Sequence, residues 1–543
     1  MKISLKSRIV SALAVTALAG TVVVGAPTAA NAAPQCATAS FVTQCAGVGA
    51  DGAPYTFVAA ANFNGTVFVW SHGVRPAIDI PATLAPVGPY TKTNAAEPAP
   101  GASSGDLTIM NKLIAAGYGV AGSGFARQGI NTAEALAANK ELIAAFKTKF
   151  PTTNSVIAWG GSLGAMHAQR LAETNPELVD GVILGCPAAN PQDALMAYFG
   201  DALWGFKALF DPTIKVGGFS TDPATRVAEQ YANIGKVLTV LSKLSAGLTT
   251  GAWPDTSSPA GKALQAAGIP SRSALLTVGL MAGVSTRSKH VDGTSGPTGA
   301  AETYPLAIAP AVAVLENMGA TLNYGTLLIA DGELLAGGKV YDNTTTDYAA
   351  RVAADADIFS FALSGNAAVA GIIGALAATP REKADPAAVA KIPGLVGLSG
   401  KITKPTIIFQ SESEEFVPAS IVQWYADTYA AQFAAEKMKA MNAAKKSRNY
   451  VAPTNNLVVL WQKTAAKYSE FTAAGSPDLT APAGAGTGHC LFSNAQWLAA
   501  ADLMVATLKN GKFPLGGKIA STARKVGLSY DNKFRVPLFK SLQ

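Results

Sequence analysis

VIAWGGSLGAMHAQRLAE, residues 156–173, decides the reading of this chain. Ser155 to Trp159 is a short apolar run, the pattern of a buried strand. Gly160-Gly161-Ser162-Leu163-Gly164 follows at once, and from Leu163 to Glu173 the pattern is helical. A strand turning sharply into a helix at G-x-S-x-G holds the serine hydroxyl up, away from its own backbone, because only small residues fit on either side of the turn. The helix aims its N-terminal dipole at negative charge developing near that hydroxyl. Ser162 is therefore the candidate nucleophile.

Outward from this elbow the same rhythm recurs. Tyr55 to Ala60 and Thr66 to Trp70 are strand-like runs with Asn64-Gly65 between them, which predicts a hairpin. Met110 to Ala116 reads as a helix and Gly117 to Gly122 as a strand. Asn131 to Phe150 is a long amphipathic helix, with Asn131 as the expected N-cap and Glu134 three residues on. Val179 to Leu184 is another apolar strand, ending at Gly185-Cys186-Pro187. Strands alternating with helices predict an α/β fold with a mostly parallel sheet. Beyond residue 190 the rhythm stops, and residues 191–400 are Ala-rich and largely helical in pattern, which predicts an inserted cap. It resumes with the strand Thr406 to Phe409, a helix from about Ala419 to Ala443, the strand Leu457 to Trp461, and a last helix to Leu508 that Ser493 and Gln496 start as a capping box. The expected organisation is a core of residues 33–190 and 401–510, the cap between them, and a basic C-terminal stretch, residues 511–543.

A serine is a weak nucleophile until a base takes its proton. The chain has four histidines. His72 ends a strand before Gly73, His167 lies on the helix after the elbow, and His290 lies in a polar part of the cap. His489 sits in a Gly-rich loop after the last strand, and the order serine, acid, histidine suits a triad on such a sheet. His489 is the expected general base. The acid is expected after Thr406–Phe409, where Glu412, Glu414 and Glu415 compete; Asp331, after the apolar run Leu327 to Ala330, is a weaker candidate. An oxyanion hole needs two preorganised N–H groups. Those of Leu163 and of Val74, in the loop that begins His72-Gly73, are the candidates.

The N-terminus carries Lys2, Lys6 and Arg8, an apolar run from Ile9 to Val24, and Ala30-Asn31-Ala32, which predicts a secretory signal over residues 1–32 cut before Ala33. The expected location is extracellular. Four cysteines in an exported chain predict two disulfides: Cys36 with Cys45, close in sequence, which leaves Cys186 with Cys490; buried free thiols are the alternative. The net charge is +7, but outside Lys509 to Lys540 the basic residues are scattered. That argues against a nucleic-acid partner, and the terminal basic stretch reads as a solvated tail. No segment after the signal runs apolar long enough to cross a membrane. No metal or organic cofactor is implied, and the expected partner is a small-molecule or polymeric ester.

GTVFVWSHG (65–73), the elbow segment (156–173), KPTIIFQSESEEFVP (404–418) and GTGHC (486–490) stand in the order seen in α/β-hydrolases, and the chain resembles that family over residues 54–190 and 400–508. The resemblance implies an α/β-hydrolase fold and a serine hydrolase, first of all a carboxylic-ester hydrolase. A peptidase on the same fold, or a non-catalytic binding module, are its rivals. The family's acid loop often reads H-G-x-x-D-x-x-V-P. Laid on this chain, Val417-Pro418 match, Gln410-Ser411 replace His-Gly, and Glu414 takes the place of the aspartate. His489-Cys490 is similar to secreted tannases and feruloyl esterases, where that cysteine bonds one directly before the serine. Position 161 is glycine here, and Cys186 is the substitute the resemblance supports.

Overall fold

The computed structural model describes residues 33–188, 194–447, 450–537 and 540. The predicted signal segment lies outside them. Nine strands form one sheet: β1 (Gln35–Ala39), β2 (Val42–Val48), β3 (Pro54–Ala60), β4 (Thr66–Ser71), β5 (Gly119–Ser123), β6 (Ser155–Gly161), β7 (Gly181–Gly185), β8 (Thr406–Ser411) and β9 (Leu457–Gln462). Their order is β1-β2-β3-β5-β4-β6-β7-β8-β9. The run from β5 to β9 is parallel, and β1, β2 and β3 add an antiparallel edge.

The core helices are α1 (Thr108–Ala115), α2 (Thr132–Lys149) and α3 (Leu163–Thr174). Between β7 and β8 lie α4 (Ala194–Leu209), α5 (Pro223–Gly247), α6 (Pro259–Ala266), α7 (Ser271–Ala282), α8 (Thr303–Ala307), α9 (Ala309–Ala336), α10 (Tyr348–Ala356), α11 (Asn366–Ala377), α12 (Pro386–Val389) and α13 (Ile392–Val396). Then follow α14 (Ala419–Ser447), α15 (Asn494–Asn510) and α16 (Gly516–Arg524).

Alternation along the central strands sends side chains to two cores, as the period of two requires. Val67, Val69, Val156 and Ala158 pack with α2, α3 and the helices between β7 and β8. Phe68, Trp70, Ile157 and Trp159 face α1, α15 and α16 on the other side. The α/β layering thus has helices on both faces of a buried parallel sheet.

Three expectations need correction. Asn64-Gly65 does not join a hairpin: β3 and β4 do not pair, because β5 inserts between them. The turn instead passes over the start of β5, with Asn64 N–H donating to the Gly117 carbonyl at 2.8 Å. Asn131 does not cap α2 with its side chain; its Nδ2 donates to the Arg127 carbonyl. The basic C-terminal stretch is not a free solvated tail, since Ile519, Ala523 and Leu528 are buried. Ser529 and Trp461 exchange two backbone hydrogen bonds at 2.8 Å, which carries the segment along the β9 edge. The Ser493–Gln496 capping box of α15 is present in both directions.

The backbones also approach closely at the elbow. A Cβ on Gly164 would lie 2.0 Å from the Ser71 carbonyl oxygen, and one on Gly160 would lie 2.3 Å from the Gly164 oxygen. Helix α3 therefore rests on the end of β4 with no side chain between. Gly164→Ala forces these backbones apart and should lower stability by about 1–3 kcal/mol, read as a lower denaturant midpoint at unchanged slope. An unchanged midpoint would mean that α3 has slack against β4.

Candidate active site

Strands β4, β6, β7, β8 and β9 run in parallel, so the loops after them meet at one edge of the sheet, where α/β folds gather their sites. Ser162 follows β6 with φ 56° and ψ −125°, a conformation strained for any residue but glycine. It is held by its N–H, which donates to the Gly185 carbonyl at 2.9 Å, and by its carbonyl, which accepts from Ala165 at 3.1 Å and Ala188 at 3.2 Å. The hydroxyl is thereby set at the mouth of a cavity of about 1230 Å³.

His489 Nε2 lies 2.8 Å from Ser162 Oγ. Its Nδ1 lies 3.0 Å from both carboxylate oxygens of Glu414. With Nδ1–H donating to the carboxylate, Nε2 is the acceptor for the serine proton. The Glu414 side chain is fully buried, while His489 keeps 26% of its own exposed toward the cavity. Burial opposes the charged imidazole, but the Glu414 carboxylate outweighs it, with a further push from Glu415, so the pKa of His489 is raised above its ordinary 6.5.

The three glutamates of the acid loop have separate roles. Glu414 also accepts from the Phe416 N–H at 2.8 Å. Glu412 turns to the Thr464 N–H, 2.8 Å away. Glu415 pairs with Lys289 at 3.2 Å, and burial raises its pKa against the pull of that ammonium. Asp331 is not in a loop: it lies within α9 and engages Arg127 and the Ile130 N–H, away from His489.

The remaining histidines stand apart. His72 is buried between the Gly73 and Gly124 carbonyls, and burial with nearby Arg75 lowers its pKa to about 4. His167 is packed edge-on to Phe125, and burial lowers it to about 3. His290 pairs with Glu316 at 2.6 Å. The turn after His72 comes close to the serine: a Cβ on Gly73 would lie 3.3 Å from Ser162 Cβ. Val74 lines the same cavity as Ser162, and the N–H groups of Val74 and Leu163 have no acceptor among the described residues.

Cys186 and Cys490 are joined, so the histidine loop is tied to the end of β7; Cys36 and Cys45 are joined directly across β1 and β2. Cys186, His489 and Cys490 form the one cluster of metal-ligating types among the described residues, but both sulfurs are in the disulfide and the imidazole is engaged on each nitrogen.

Several supports had no sequence signal. Tyr198 of α4 and Thr321 of α9 donate to the Glu415 carbonyl, at 2.9 and 3.0 Å, and fix the acid loop. The Lys289 carbonyl accepts from Gly484 N–H at 2.8 Å, and so steadies the histidine loop. Phe416 packs on the His489 ring, centroids 4.8 Å apart. These contacts join segments far apart in the chain, which no local pattern records.

Fold and site together define an α/β protein with a serine, a histidine and a glutamate in hydrogen-bonded series at the carboxyl edge of its parallel strands. No protein-family model matches the chain, and no curated protein matches it by sequence. Solved structures similar to it include a feruloyl esterase B from Aspergillus oryzae (11% identity, 88% of this chain and 83% of that chain covered, TM-score 0.36). An esterase from Aspergillus oryzae is similar at 12% identity over 87% of this chain and 80% of that one, TM-score 0.38. The rice cell wall degrading esterase LipA from Xanthomonas oryzae is similar at 12% over 78% and 83%, TM-score 0.30. No described helix is long and apolar enough to cross a membrane.

Titration of His489 by NMR checks the electrostatics of the pair. Its pKa should lie above 6.5 in the native protein, and Glu414→Gln should lower it, because the raising charge is gone. The sign follows for stability: the Glu414–imidazolium interaction stabilises the fold fully below the unfolded histidine pKa, and that contribution is lost as pH rises through the higher folded one. A histidine titrating at the same pH in both proteins would place the carboxylate elsewhere.

Proposed function

We propose that this chain is a secreted serine hydrolase of the α/β-hydrolase type that cleaves carboxylic esters, with residues 191–400 as a cap over its site. The observation that carries this reading is the unbroken series Glu414, His489, Ser162, with spacings of 3.0 and 2.8 Å. Secretion is supported by the predicted signal over residues 1–32 and by the two disulfides.

Ser162 Oγ attacks the ester carbonyl carbon while His489 Nε2 takes its proton. The carbonyl oxygen gains the negative charge, and the Leu163 and Val74 N–H groups receive it, aided by the N-terminal end of α3. Glu414 stabilises the imidazolium. The intermediate collapses with cleavage of the carbon–oxygen bond, and His489 protonates the departing alkoxide. Water then attacks the acyl-enzyme, giving its proton to Nε2. The second collapse releases the acid and returns the proton to Ser162.

The cavity favours a bulky apolar group. Leu238 and Leu241 of α5, Leu248 just beyond its end, and Val312 and Leu315 of α9 line it. A peptidase would need a free carboxylate to hold a peptide amine. Glu316 and Glu415 line the cavity, but His290 and Lys289 already occupy them. Ester hydrolysis is therefore preferred.

Ser162→Ala should abolish turnover and labelling by a fluorophosphonate probe while the melting temperature stays near that of the native protein. Glu414→Gln should cut kcat by about 10²–10⁴. A non-catalytic module would remain unlabelled even with Ser162 intact. Across nitrophenyl esters from acetate upward, kcat/KM should rise by about fourfold per methylene until the cavity wall is met. A flat series would mean that the acyl chain does not enter this cleft.

A further inference from the structure

One stripe of α9 borders the cavity that holds Ser162 and His489: Val312, Leu315, Gly319 and Asn323 all line it. Their spacing is that of successive helical turns, so the four positions lie one above another on a single face. Leu238 and Leu241 of α5 line the same cavity.

Gly319 interrupts the stripe. It lies inside α9, its φ is not positive, and a Cβ placed on it would meet nothing within 4 Å. Gly325 of the same helix differs. A Cβ there would lie 3.0 Å from Phe199 Cβ, so packing against α4 accounts for that glycine. No neighbour crowds position 319. Asn323 Nδ2 donates to the Gly319 carbonyl at 2.7 Å, which keeps the amide against the backbone of its own helix.

Helical side chains lean toward the N-terminal end of their helix. A side chain at 319 would therefore extend over the turn of Leu315 and into the cavity. Its absence leaves a slot one side chain deep between Leu315 and Asn323, which runs about 12 Å along the helix. An unbranched alkyl chain matches that shape. It is as narrow as the missing side chain, it carries no polar atom, and it gains from the apolar surface it covers.

We infer that Gly319 sets the length of the unbranched alkyl chain that the ester can carry, by leaving open the slot in which the end of the chain lies. The inference rests on the ester-hydrolysing reading of this cavity and deepens it, from a bulky apolar group to a linear one measured by a single position.

Gly319→Leu puts four carbons into the slot and tests this on the full chain. The kcat/KM for a ten-carbon chain relative to a four-carbon one should fall by about tenfold or more, since each methylene denied apolar contact is worth about fourfold. Gly319→Ala should fall in between. 4-Nitrophenyl decanoate against butanoate varies the acyl half of the ester, and decyl against butyl acetate varies the alcohol half. A fall in either series supports the assignment and names the half that enters the slot. Gly374→Leu, at an exposed position of α11 off the cavity wall, should leave both ratios as in the native protein; thermal melts confirm that each variant is folded. Unchanged ratios in both series, in a protein that hydrolyses these esters, overturn the assignment, as does an equal fall in Gly374→Leu. A native protein that hydrolyses none of them defeats the ester reading, and calorimetry with decanoate then decides the slot. Binding about tenfold weaker in Gly319→Leu than in the native protein upholds it; equal binding, or none at millimolar decanoate, overturns it.

Discussion

Helix α3 lies directly on the end of β4, with the Gly164 position too close to the Ser71 and His72 carbonyls to accept any side chain. That contact sets the angle at which the chain leaves β6. It pushes Ser162 into a positive φ, and the Gly185 carbonyl and the α3 N–H groups hold it there. The same contact brings the turn after β4 beside the serine, so Ser162 and the N–H groups of Leu163 and Val74 lie at one corner. The strain is local, of order 1–3 kcal/mol, and the buried strands around it are what sustain it.

The other two members of the series come from loops, and loops need bracing to hold a side chain to a few tenths of an ångström. The bracing comes from the helices between β7 and β8. Tyr198 and Thr321 grip the acid loop through one carbonyl, and Lys289 touches both the acid loop and the histidine loop. The disulfide from Cys186 to Cys490 adds a covalent tie from the neighbouring strand. These helices between β7 and β8 are therefore part of the site's framework as well as a wall of its cavity.

Environment alone separates the histidines. His72 and His167 are buried without a carboxylate, so burial lowers their pKa values and keeps them neutral. His489 is walled in as well, but Glu414 reverses the sign. One residue type thus serves as core packing at two places and carries a tunable proton at a third.

The sequence by itself determined what is local. The strand, the glycine-flanked turn and the helix at 155–174 are adjacent in the chain, so their pattern could be read directly, as could the order serine, acidic loop, histidine and the capping box of α15. The tertiary structure decided what depends on distant partners. Asn64-Gly65 carries a strong hairpin signal, yet β5 offers hydrogen-bonding edges to both β3 and β4 and displaces their pairing. Among Glu412, Glu414 and Glu415, composition is equal, and only the course of the loop assigns one to His489, one to Thr464 and one to Lys289. Asp331 follows an apolar run that suits strand or helix, and long-range packing made it part of α9. Short-range patterns fix the elements, but which polar groups of the site meet is set by chain segments some fifty to two hundred residues apart, through burial that no local window records.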